Sequence, residues 1–248
     1  MIFSWFRNRR RKRLLASPIP IDWPQIMASA VRYFSLWPDE IQSRFRDAVR
    51  IIIHETNWEG CDGLKVTEEM KVVIASQAAM MLVGTEDYFF EGVQTFLVYP
   101  ASFKRKTSDG LVVSETPRIG EAWHRGPIVL SWQDIHWITP GRNVVVHELA
   151  HHLDGLDGEI GGTPRLEGHA RPSRWAAVSE MELARLRRDL NDGFQTFFDP
   201  YAATSLVEFF AVSSEAFFEA PRPFKVQHSD WFECLSDFYQ VDPTRWSS

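Results

Sequence analysis

Cysteine is scarce in this chain: Cys61 and Cys234 are the only two among 248 residues. Two thiols with no pairing pattern exclude a disulfide-stapled scaffold and read as reduced side chains, so a cytoplasmic location is expected. Long hydrophobic runs are missing as well, since none approaches the roughly 20 apolar residues needed to span a bilayer. There is no excess of positive charge. A formal net charge of −6 and a pI near 5.8 argue against direct nucleic-acid binding. Internal repeats and a compositional break between domains are also lacking. What the chain does have is core material: 44% hydrophobic residues, with 18 Phe and 10 Trp, enough for one large interior.

The exception to the acidic balance is the first segment. Arg7, Arg9, Arg10, Arg11, Lys12 and Arg13 follow the apolar Met1–Phe6, and removing those six cations would take the net charge from −6 to −12. The apolar stretch after them is short and broken by Pro18 and Pro20, which excludes a secretion signal. Residues 1–21 are therefore expected to be a solvated basic tail and linker, with weak contact to anionic lipid as the alternative. Residues 22–248 are expected to form the folded domain.

The most informative stretch is Val144-Val145-Val146-His147-Glu148-Leu149-Ala150-His151. On a helix, positions four apart lie one above the other, so His147 and His151 can reach a single ion. Glu148 is turned about 100° from His147, beside such an ion rather than on it, where a general base stands. The flanking valines, Leu149, Ala150 and Leu153 make the other faces apolar, and a buried charged trio needs a partner.

Catalytic zinc usually takes three protein ligands and leaves a fourth position for water. Two residues could complete the set. Asp157 stands six residues after His151, but the sharp turn that arrangement needs would want Gly at position 154, and Gly155 comes one residue late. Asp154-Gly155 reads instead as a helix end with Gly155 as its cap. The second candidate is Glu208, inside the apolar helical run Leu206–Phe218. It shares a face with Val212, Glu215 and Glu219 and is flanked by Val207, Phe209 and Phe210. For Glu215 and Glu219 the reading is a partly exposed or supporting role.

These motifs, with Leu97–Phe103, Gly126–Ile135 and Tyr201-Ala202-Ala203, resemble the Mlc titration factor A family of bacterial zinc peptidases, over roughly residues 30–245. The resemblance implies one zinc ion on His147, His151 and Glu208, Glu148 as the catalytic base, and Tyr201 as an oxyanion donor. The chain departs from the family in carrying Leu206 where Pro is common, which touches the start of a helix and not the metal set. The resemblance also implies peptide substrates, cut from the amino end, although no acidic pocket for an amine is visible in the residues. It equally implies a different role, binding a transcriptional repressor of sugar uptake, with hydrolysis secondary. The presence of Glu148 argues against a purely structural site.

The expected fold is α+β, a single mostly helical zincin-like domain with a small sheet beside the metal-binding helix. Two helices should occupy Asp22–Ile53, broken at Trp37-Pro38-Asp39. A third, capped by Thr67, should run to about Val83, and a charged amphipathic helix should fill Pro172–Leu190. Short strands are expected at Val93–Tyr99, Gly126–Trp132 and Val112–Glu115. Ile128–Trp132 is the candidate edge for strand addition by a substrate. His152, about 100° from His151, is expected at the surface or in support, and the remaining His carry no assigned role.

Overall fold

A computed structural model describes residues 2–85, 88–101, 106–107, 110–111, 126–136, 141–158, 160–165 and 171–246. It is mostly helical, with one small parallel sheet, and belongs to the α+β class. The expected strand at Val112–Glu115 and the segment holding His169 lie outside the described residues.

The chain opens with helix α1 (Ile2–Leu15), so the basic segment is not a solvated tail. The reason is a long-range ion pair that sequence spacing cannot show. Arg11 is buried and donates to Glu55 at 2.6 and 2.9 Å and to Glu91 at 3.2 Å. Buried Arg50 then caps the helix end by donating to the carbonyls of Leu14, Leu15 and Ser17. Helix α2 (Trp23–Ala30) follows, then α3 (Asp39–Glu55), with a short 3-10 turn between them and the expected break before Asp39. The α3 stripe of Phe45, Val49 and Ile52 is buried.

Strand β1 (Asn57–Gly60) leads to α4 (Glu68–Met80), where the Thr67 hydroxyl accepts from the Met70 N–H. Helix α4 is apolar nearly all round and is buried accordingly, including Met80 and the following Met81. Strand β2 (Thr95–Tyr99) comes next, then β3 (Lys106–Thr107) and β4 (Gly110–Leu111), which among the described residues pair with each other. Strand β5 (Ile128–Ser131) is followed by the short α5 (Trp132–His136). The main sheet runs β1-β2-β5, all parallel, with Phe96 opposite Ile128 and Trp58 opposite Phe96. Among the described residues strand β5 is thus an edge, and it touches the helix that follows. Nothing in the sequence flagged β1, because Asn57-Trp58-Glu59-Gly60 is too short and polar to show a strand period.

The second half supplies α6 (Val144–Asp154), α7 (Pro172–Asn191), α8 (Leu206–Glu219), α9 (Pro221–Gln227) and α10 (Ser229–Tyr239). Helices α6 and α8 pack together, and α8 is buried from Phe209 to Glu219. Around them sit Trp175, Trp231, Phe210 and Phe238 in edge-to-face contacts, with Trp175 4.7 Å from Trp231 between ring centroids. Each such ring removes a large apolar area from water, about 2–3 kcal/mol of transfer free energy. That aromatic packing seats α8 against α7 and α10.

Candidate metal centre

Two N-caps set the register of the site. On α6 the Asn143 side chain accepts from the Val146 N–H at 3.1 Å, and on α8 the Ser205 hydroxyl accepts from the Glu208 N–H at 3.1 Å. Ser205 and Glu208 have the spacing of a capping box, but the Glu208 carboxylate turns to the two imidazoles of α6. The absence of Pro at position 206 is therefore immaterial, since Ser205 starts the helix.

The donor atoms form a small triangle. His147 Nε2 lies 3.1 Å from His151 Nε2 and 3.2 Å from Glu208 Oε2, and His151 Nε2 lies 3.4 Å from the same oxygen. Glu208 Oε2 is buried and has no hydrogen-bond partner. The Nδ1 of His147 stands 2.7 Å from Glu215 Oε1, and pairing there leaves the Nε2 of a neutral ring as a lone pair. Three acceptors then point at one another across little more than 3 Å, which repels unless a cation or proton sits among them. The point equidistant from the three corners is about 1.9 Å from each, so an ion slightly off their plane would be at ordinary coordination distance. The residues present fit a metal ion.

The supporting carboxylates are buried rather than partly exposed. Glu215 also accepts from the backbone N–H of Asn143, and Glu219 accepts from the Asn143 side-chain amide at 2.8 Å. Asn143 thus joins the start of α6 to two carboxylates one turn apart on α8. Sequence reasoning passed over it, although an Asn just before an apolar helical run is a cap signal. Asp154 was also read only as a helix end. It is fully buried and accepts from the Gly162 N–H at 2.8 Å, while Trp175 donates to the Gly162 carbonyl. Gly155 does follow the last helical residue, but with φ of −83°; the left-handed turn comes at Gly158, with φ of +95°. Asp157 lies in the 3-10 turn between them, exposed and outside the cluster of His147, His151 and Glu208.

Charge explains the titration behaviour. Burial alone would lower the His147 pKa, but Glu208 and Glu215 outweigh it and raise it to about 10. Burial would raise that of Glu208, yet its contacts with His147 and His151 hold it well below the usual carboxylate range. Glu148 is raised by burial and by Glu208 and Glu215, with the two imidazoles opposing. Burial lowers His152 to about 4. That ring is buried, not at the surface, and lies where a side chain on Gly92 would have to be. Tyr201 sits in a 3-10 turn (Pro200–Ala203) packed on α8, its ring 6.2 Å from that of His147.

The model of the glucose-regulated metallo-peptidase M90 family matches residues 5–240. The chain belongs to that family. Among relatives of similar sequence, an uncharacterised protein of Synechocystis is 31% identical over 94% of this chain and 89% of its own length. Mlc titration factor A of Klebsiella pneumoniae is 30% identical over 89% and 86%, and that of Pectobacterium atrosepticum is 32% identical over 73% and 71%. The M90 match covers the helices that carry the triangle, its supporting carboxylates and Tyr201.

Proposed function

We propose that this protein is a zinc-dependent peptidase, with zinc held by His147, His151 and Glu208. The observation that carries the reading is the triangle of three largely shielded acceptors, with Glu148 next to His147 on the helix that carries both imidazoles. Two imidazoles and one carboxylate suit zinc, and they are the ligand set of open catalytic sites rather than closed structural ones. A zinc ion there would acidify a water molecule and polarise the scissile carbonyl. Glu148 takes the proton from the attacking water and passes it to the leaving amine. Glu215 holds His147 in the tautomer that presents Nε2. Tyr201 donates to the oxyanion as the tetrahedral centre forms. Strand β5, last in the order β1-β2-β5, receives the substrate backbone as an added strand. Short peptides are the substrate class, with cutting from the amino end carried only by the family resemblance. Free thiols at Cys61 and Cys234 fit a cytoplasmic setting.

A second reading comes from the names of the relatives. Mlc titration factor A proteins align over most of this chain, so binding to a transcriptional repressor, with hydrolysis secondary, is the alternative. One variant separates the two. Glu148→Gln should keep fold and zinc content while peptide turnover falls at least a hundredfold, as expected when a general base is lost. Repressor capture should survive the same change. Wild-type turnover in that variant, with zinc bound, would remove the hydrolytic mechanism, and loss of zinc would make Glu148 a ligand.

A further inference from the structure

The proposed hydrolysis does not use helix α1, and its outer face has a chemistry of its own. Arg11 faces inward, toward Glu55 and Glu91, Arg7 reaches Glu91 from the exposed flank, and Arg50 fastens the carbonyl end of the helix. A helix turns 100° per residue, so fixing Arg11 inward also fixes what points out. Trp5, Phe6, Arg9, Arg10, Lys12 and Arg13 share the opposite side, and all six are exposed. Trp5 and Phe6 are 55% and 59% exposed, and their rings touch edge-to-face at 5.0 Å. The Arg9 guanidinium lies over the Trp5 ring at 5.4 Å. No acidic residue occurs anywhere in α1.

We propose that this face of α1 docks the protein on an anionic membrane surface. Three observations select that occupant. The four outward cations, with Arg7 and Arg11, fall within seven residues of a chain whose net charge is −6, so positive charge is concentrated at this helix against an acidic balance. Two exposed aromatic rings at the same end match the boundary between headgroups and acyl chains, where Trp is favoured. The inward ion pairs of Arg11 tie the helix to the body of the protein, which lowers the backbone ordering cost of the encounter. A nucleic acid would use the cations but would not require the Trp5 and Phe6 pair to sit unstacked at the helix end. No described helix is long and apolar enough to cross a membrane, so the contact is peripheral. Its strength follows from the charges: about fivefold in partitioning for each cation near an anionic surface, a few hundredfold for four, and steeply weaker as salt rises.

The test is co-sedimentation of the purified full-length chain with vesicles. Phosphatidylcholine alone is compared with phosphatidylcholine containing phosphatidylglycerol, at low and at high salt. Binding should require the anionic lipid and should fall several-fold or more at high salt. The variant Arg9→Glu, Arg10→Glu, Lys12→Glu, Arg13→Glu should abolish it while circular dichroism and zinc content stay as in the wild type. Trp5→Ser with Phe6→Ser should weaken it with the charges intact. Equal sedimentation with both lipids, none with either, or binding to duplex DNA in place of vesicles would overturn the proposal. Peptide turnover without vesicles should be unchanged in these variants, which separates this face from the metal centre.

Discussion

The residues of the centre differ in what their loss should do, because each contributes a different atom to one triangle. Glu208 supplies the oxygen at 3.2 and 3.4 Å from the two imidazole nitrogens, whereas Asp157 is exposed beyond the end of α6. Glu208→Ala should therefore lower zinc affinity by orders of magnitude and Asp157→Ala should leave it within a fewfold. Competition with a chromogenic chelator measures both, and the reverse order would reassign the third ligand. Tyr201 is a gentler case. Its ring is half-buried against the His147 side of the site, so Tyr201→Phe keeps the packing and removes one hydroxyl. The expected outcome is a fall of about a hundredfold in kcat with KM and zinc content little changed. An unchanged kcat would make Tyr201 a packing residue.

Helices α6 and α8 are each ordinary in cap and burial, and it is their mutual fastening that makes a site. Glu215 reaches from α8 to both the His147 ring and the Asn143 backbone N–H, and Glu219 takes the Asn143 amide one turn on. A slip of α8 by one residue would turn this row about 100° away and break all of these contacts together. Glu215→Gln keeps an acceptor for the backbone but weakens the hold on His147. It should cost about 10- to 100-fold in zinc affinity with far-ultraviolet circular dichroism unchanged. If zinc affinity stays at the wild-type level, the carboxylate is only a helix fastener. The sequence placed Glu215 on the face of Glu208, but its partner lies 68 residues back, and no periodicity links the two.

Across the whole molecule, zinc would join two helices whose centres are about 60 residues apart in the chain, so metal and fold should be coupled. An ion that binds only the folded chain stabilises it by about 4 kcal/mol when its free concentration is a thousandfold above Kd. For a domain of this size that is a shift of roughly 10 °C. Adding a strong chelator should lower the unfolding temperature of the wild type by that order, and Glu208→Ala should start near the chelated value. A chelator-insensitive unfolding temperature in zinc-loaded protein would argue that α6 and α8 are already locked by their direct packing and the Asn143 contacts alone.

The helices with strong period and caps were legible in the chain itself: α3, α4, α7 and α8 begin within a residue or two of where the pattern puts them, because local propensity and capping act there without distant help. His147, Glu148 and His151 were legible for the same reason, since four-residue spacing on one helix is a local fact. Tertiary structure alone decided three things. It turned the basic segment into a helix, because Arg11 finds Glu55 and Glu91 far along the chain. It made β1 a strand, because pairing with β2 outweighs a polar four-residue sequence. It buried His152, Asp154 and Glu215, because the side of a helix that is inside depends on which other helices arrive there, and charge alone does not predict exposure when a partner is brought to it.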